Sequence, residues 1–131
     1  MMTSRKPKHI LAVDDDGLVR KSLAIFFREA GYESTVAEDG EEALRFFCEN
    51  RYDLLVTDIR MPGMDGLQLI RAVRDYCRHA KRPPVPEIVL TAYNDEEVKR
   101  SAARLGVRDF ILKPFRAEEF LRTLERNLAL P

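Results

Sequence analysis

Hydrophobic and polar positions follow two alternating rhythms along this chain. Ile10-Leu11-Ala12-Val13, Leu54-Leu55-Val56-Thr57 and Glu87 to Thr91 are short, nearly continuous apolar runs, and Ser34 to Ala37 and Asp109 to Leu112 are shorter companions. Between them lie longer stretches with helical period. Val19, Leu23, Phe26, Phe27 and Ala30 fall at offsets 0, 4, 7, 8 and 11, which is one stripe on one helix face. Ala43, Leu44, Phe47 and Cys48 form a second stripe, and Ile70, Val73 and Cys77 a third, on a helix from Gly66 to about Arg78. Val98, Ala102 and Leu105 form a fourth; Phe120, Leu121, Leu124 and Leu128 face inward from a fifth helix over Ala117 to Leu130. Asp39 with Glu42, and Asn94 with Glu97, have the spacing of helix starts. Gly31 and Gly106 stand where helices end, and Lys81 to Pro86, with three prolines, is a loop. Five strand–helix units predict a parallel sheet with helices on both faces. Such strands are buried on both sides, which explains their unbroken apolar character.

The 131 residues suffice for one domain and are filled by these units. Residues 1–8 read as a flexible basic tail and 9–131 as the domain. Lys plus Arg and Asp plus Glu are both 22, so the net charge is zero, which argues against a non-specific nucleic-acid binder or a polybasic membrane-surface protein. No apolar run approaches the ~20 residues of a membrane span, and no signal peptide is evident. Cys48 and Cys77 form no CxxC and read as reduced, core or half-buried thiols, which places the protein in the cytoplasm.

In an open parallel sheet, ligands bind beyond the carboxyl ends of the strands. The first strand ends in Asp14-Asp15-Asp16, the third in Asp58, the fourth in Thr91 and the fifth in Lys113. Carboxylates gathered at one edge repel unless compensated, and an all-oxygen set favours Mg²⁺, or Mn²⁺, over Zn²⁺. A hydroxyl and an ammonium at the same edge suit phosphoryl oxygens. An aspartate in such a cluster can itself be the nucleophile and form an acyl phosphate.

Four segments carry a resemblance: Val13-Asp14-Asp15-Asp16, Leu54 to Gly66, Val89-Leu90-Thr91-Ala92-Tyr93 and Phe110-Ile111-Leu112-Lys113-Pro114-Phe115. Together they resemble the receiver domain of response regulators in two-component signalling, from about His9 to Leu130. The resemblance implies a flavodoxin-like (βα)5 three-layer sandwich with strand order 2-1-3-4-5. It implies phosphoryl transfer from a histidine kinase or phosphotransfer protein to Asp58, with Mg²⁺ held by Asp14, Asp15, Asp58 and the backbone carbonyl of Arg60. Thr91 and Lys113 would bind the phosphoryl group, Thr91 and Phe110 would switch, and Arg60 and Tyr93 would tune its loss. The Lys113–Pro114 bond would be cis. The output surface would be the fourth helix, fifth strand and fifth helix, and that face would also serve a homodimer. Phe110 stands where tyrosine is commoner, and Arg116 occupies a helix start where the family often has Asp, Ser or Thr.

On this reading the protein is not an enzyme beyond its own aspartyl phosphorylation and slow dephosphorylation. With no room for an output domain, its signal passes to a partner or to a domain outside this sequence. The kinase would be chosen by the first helix, through Val19, Arg20, Leu23 and Phe26. Arg71, Arg74, Arg78, His79, Lys81 and Arg82 read as a solvated basic face rather than a nucleic-acid site. Arg100, Arg104, Arg108, Arg122 and Arg126 fall on the output side, where they could meet a twin subunit's acidic residues. Two rivals remain. One is a non-phosphorylated interaction module on the same fold. The other is a haloacid-dehalogenase-like phosphatase, with Asp14 as nucleophile and Asp16 as acid. In the latter, Leu18 stands where Thr is expected, and the 18 residues after Lys113 leave no room for the later acidic motif.

Overall fold

The computed structural model describes residues 7–92, 95–107 and 109–128. Its strands are β1 (His9–Val13), β2 (Glu33–Ala37), β3 (Leu54–Asp58), β4 (Glu87–Ala92) and β5 (Asp109–Lys113). Its helices are α1 (Gly17–Glu29), α2 (Gly40–Glu49), α3 (Gly66–His79), α4 (Glu96–Arg104) and α5 (Ala117–Leu128). The strands form one parallel sheet in the order β2-β1-β3-β4-β5, as the resemblance implied. Of the expected tail, residues 1–6 lie outside the described residues. Pro7 and Lys8 are exposed, and the Lys8 carbonyl accepts a hydrogen bond from Glu33 at the sheet edge.

Successive strand residues feed two separate cores, because side chains alternate across a pleated sheet. Ile10, Ala12, Leu54, Val56, Ile88, Leu90 and Ile111 point to the α1 and α5 layer, meeting Leu23, Phe27, Phe120 and Leu124. Leu11, Val13, Leu55 and Val89 point the other way, meeting α2, α3 and α4 through Phe47, Leu69, Ile70, Val73, Val98 and Ala102. Fully burying one such side chain contributes about 1.5–3 kcal/mol. Phe26, Phe27, Phe115 and Phe120 form a continuous ring cluster, with centroids 4.9–5.9 Å apart. Phe115 therefore anchors the segment that follows Lys113.

Local chemistry departs from expectation at several helix starts. Asp39 does cap α2 by accepting from Glu42 N, but the Glu42 carboxylate accepts from Glu38 N rather than closing the box on Asp39. The reciprocal capping box is at α3, between Asp65 and Gln68. The N-cap of α4 is Asp95, one residue beyond Asn94, which lies outside the described residues. Residues 129 and 130 of the last expected helix also lie outside them.

Two arginines make long-range ion pairs within the chain, one of them half-buried and the other still largely exposed. Arg74, on α3, forks onto the buried Glu87 carboxylate of β4 and donates to the Leu105 carbonyl at the end of α4. Arg126, on α5, forks onto Asp109 of β5. Both are expected on open faces; Arg126 is on one, and Arg74 is the one drawn in. Each is separated in sequence from its carboxylate, so only the fold brings the pair together. Arg108 lies outside the described residues.

One glycine fixes how α3 meets β3. A Cβ on Gly66 would lie 2.1 Å from the Asp58 carbonyl oxygen and 2.9 Å from Ile59 Cα, and Gly66 N donates to the Ile59 carbonyl at 2.9 Å. The helix start rests on the backbone of Asp58, where neither side can yield cheaply. Gly66→Ala is expected to cost about 3 kcal/mol, read as a lower urea midpoint at unchanged slope. A midpoint within error of the parent would contradict this contact.

Candidate functional site

The carboxyl ends of the strands line up at one edge. Val13 is in register with Thr57, Asp58 with Leu90, and Ala92 with Lys113. Residues just beyond or at these positions therefore meet there, at the point where the chain leaves β1 for β2 on one side while β3 lies on the other. Asp14 is fully buried, Asp58 is 9% exposed, and Asp15 is open to solvent. One carboxylate oxygen from each lies within 4.8 Å of the others.

Lys113 holds this cluster. Its Nζ donates to Asp58 Oδ2 at 3.0 Å and lies 2.7 Å from Asp14 Oδ2. The second contact is an ion pair to a fully buried oxygen, which has no other partner among the described residues. The other oxygens are satisfied locally. Asp14 Oδ1 accepts from Asp16 N and Asp58 Oδ1 from Ile59 N. Burial pushes the Asp58 carboxyl above its usual range, and the Asp14 charge adds to this, while Lys113 pulls it down without cancelling the rise. Burial alone would lower the Lys113 ammonium, but Asp14 and Asp58 together hold it above its usual range. The Lys113–Pro114 bond is cis.

Thr91 is buried at the same edge, one register position before Lys113. Its hydroxyl has only a long contact, 3.4 Å, to the Ala92 carbonyl. Phe110 is half-buried and packs against the core on the α2, α3 and α4 side of the sheet. Arg60 was expected to be an exposed side chain beside Asp58. It is exposed, but its guanidinium is taken by Asp95, whose carboxyl it holds below the usual range. Tyr93 lies outside the described residues. Asp16 caps α1 by accepting from Leu18 N, so it is spent on the helix and is not poised as the acid of the phosphatase alternative.

The first-helix expectation needs correction at Leu23, which is fully buried and meets no partner. Arg20 donates to the Asp14 carbonyl, and Phe26 belongs to the ring cluster. What the helix offers instead is Leu18, 79% exposed. It lines an open, mainly apolar groove with Val19, Ser22, Lys113, Pro114 and Phe115. Leu18 lies off the buried stripe, and an apolar residue off the stripe was the available signal.

The cluster can hold a hard cation. One ammonium faces three carboxylates, the buried Asp14 Oδ2 has only that ammonium beside it among the described residues, and all donors are oxygens, which is the chemistry of Mg²⁺ or Mn²⁺.

A family model described as "Response regulator receiver domain" matches residues 10–125. The chain is similar to the regulatory protein AtoC of Escherichia coli (strain K12), 38% identical over 92% of this chain, but it spans only 25% of AtoC. Its structure is similar to that of a putative response regulator from Chloroflexus aurantiacus, at 36% identity and a TM-score of 0.86, covering 95% of this chain and all of that one. It is also similar to the receiver domain of Saccharomyces cerevisiae Ssk1, crystallised with the histidine phosphotransfer protein Ypd1. There the identity is 25% and the TM-score 0.84, covering 94% of this chain and 90% of the other.

A cation bound only by the folded cluster stabilises the fold by mass action, about 1.4 kcal/mol at tenfold excess over Kd. Mg²⁺ should therefore raise the thermal midpoint by several degrees. Asp15→Asn, an exposed change, should fold normally and lose most of that rise. An undiminished rise in Asp15→Asn would remove Asp15 from the site.

Proposed function

The chain belongs to the response regulator receiver family, whose general function is to take a phosphoryl group from a kinase onto an aspartate, and on that premise we propose that the aspartate is Asp58. The observation that carries this reading is Lys113 Nζ in contact with both Asp58 and Asp14 at the switch point of the sheet. Asp58 ends β3 with one oxygen hydrogen-bonded to Lys113, so a phosphoryl group on it arrives beside a fixed ammonium.

Receiver domains bind Mg²⁺ at an acidic pocket. Here Asp14, Asp15, Asp58 and the Arg60 carbonyl would hold it; when bound, it neutralises charge on the carboxylates and the phosphoryl oxygens. In transfer from a phosphohistidine, the phosphorus–nitrogen bond breaks as a phosphorus–oxygen bond forms to an Asp58 carboxylate oxygen, and the ring nitrogen keeps the electron pair. Lys113 then pairs with the added charge, and Thr91, with only its long contact to give up, turns its hydroxyl to a phosphoryl oxygen. That draws β4's end inward and leaves room for Phe110 to bury further. The changed surface is α4, β5 and α5, the face offered to a partner, a further domain or a second copy. Chemistry stays on Asp58 itself, with gain and slow loss of one phosphoryl group.

The phosphodonor's docking place is the apolar groove around Leu18 and Phe115, next to Lys113. Ssk1, similar in fold, is crystallised with a phosphotransfer protein, which supports a donor of that class. No helix among the described residues is long and apolar enough to cross a membrane, consistent with a cytoplasmic setting.

Incubation with acetyl phosphate and Mg²⁺ should add one phosphoryl mass, acid-stable and base-labile, to wild type and none to Asp58→Asn. Equal labelling of the two sinks the assignment. Lys113→Ala should slow labelling about 100-fold, in line with loss of one pre-placed charged donor. Leu18→Asp should separate docking from chemistry, with unchanged labelling by acetyl phosphate and roughly tenfold weaker transfer from a phosphotransfer protein. Equal loss with both donors would move Leu18 out of the docking surface.

A further inference from the structure

The helix α4 is held at its two ends by two arginines of very different setting. At its C-terminal end, Arg74 binds the Leu105 carbonyl while forked onto Glu87, whose side chain is only 7% exposed. At its N-terminal end, Arg60 is forked onto Asp95, with Nε 2.6 Å from Oδ2 and Nη2 3.0 Å from Oδ1. The same Asp95 carboxylate caps α4 by accepting from Val98 N. A single side chain thus joins the loop beside Asp58 to the first turn of α4.

Among the described residues few other contacts fix that turn, chiefly a backbone hydrogen bond from Asp95 N to the Ala92 carbonyl at 3.3 Å. Only Val98 and Ala102 of α4 are buried. An open groove lined by Ile59, Arg60, Met61, Leu67, Val98 and Ser101 separates the loop and the start of α3 from the start of α4. Arg60 is 69% exposed, so water and salt weaken its pair with Asp95. Such a pair yields to a stronger anion within reach. While Asp58 is a carboxylate there is none among the described residues: Glu97 also acts on Arg60 but is a carboxylate no stronger than Asp95, and the Asp58 oxygens are engaged by Ile59 N and Lys113. A phosphoryl group there, two residues from Arg60, adds charge and three acceptor oxygens in the geometry that a guanidinium fork fits.

We propose that Arg60 is a shared latch: it pairs with Asp95 while Asp58 is unmodified, and moves to the phosphoryl oxygens when Asp58 is phosphorylated, freeing the first turn of α4. This rests on the Asp58 reading above. Arg60 then touches the phosphoryl group and screens it from water, and Asp95 is a positioning residue that competes for Arg60. By linkage, weakening Asp95's hold favours the phosphorylated arrangement by the same factor that phosphorylation favours release of α4.

Asp95→Asn isolates the latch, because asparagine caps a helix about as well as aspartate but carries no charge. With acetyl phosphate as donor, its phosphoryl lifetime should be roughly two- to fivefold longer than wild type, the range over which losing one exposed ion pair can raise Arg60's occupancy of the phosphoryl oxygens. Arg60→Ala should shorten the lifetime, and adding Asp95→Asn to it should change nothing further. Without any phosphodonor, amide hydrogen exchange at Val98 to Ala102 should be faster in Asp95→Asn than in wild type. A wild-type chain that takes up no phosphoryl group sinks the Asp58 reading itself. A chain labelled normally, with equal lifetimes in wild type and Asp95→Asn, sinks the latch alone. So does an Asp95→Asn effect that persists undiminished without Arg60, or unchanged α4 exchange.

Discussion

One ammonium compensates two buried carboxylates, and much of the site depends on that contact. Taking Asp14 wholly out of water and Asp58 nearly so would be prohibitive without a partner. Lys113 is that partner, and it comes from the far end of the chain. Its placement needs β5 paired with β4, β4 with β3, and the ring cluster holding Phe115 directly behind it. The compensation is also incomplete. Asp14 Oδ2 has only that ammonium beside it among the described residues, and Asp15 adds a third carboxylate. The pocket is folded but electrostatically unfinished, the condition in which it accepts a cation.

The sheet divides the molecule into unequal halves. On one side, α1 and α5 are joined by four phenylalanines in ring-to-ring contact. On the other, α2 and α3 pack broadly, while α4 is polar, short and buried at two residues only. Hydrophobic area is non-directional and resists displacement, whereas ion pairs are directional and can be exchanged. On the proposed reading, the helix secured by ion pairs is the one that would shift, against a half secured by rings.

The strand-end residues were readable in sequence because a parallel sheet brings every strand's carboxyl end to one edge. Asp14, Asp15, Asp58 and Lys113 needed only that rule to be brought together. Periodicity also found the inward stripes, including Phe27, Phe120 and Leu124. What it missed were pairings between elements. Arg74 with Glu87, Arg126 with Asp109, and Arg60 with Asp95 are long-range forks, and no local pattern distinguishes a paired arginine from a solvated one. Leu23 was misjudged for a related reason: it belongs to the stripe that the helix buries, and the residue left outside is Leu18. Caps were off by a residue or a partner, since Asp39, Glu42 and Asp95 each have several nearby amides to choose from.

The ring cluster has a consequence for traffic through the docking groove. Phe115 lines that groove and is held from behind by Phe26 and by Phe120, whose ring meets it edge to face. On the proposed reading, a donor seated there would rest against a wall backed by rings, and what transfer would change is the charge beside Lys113, which lines the same groove. The donor's departure would then be sensitive to salt.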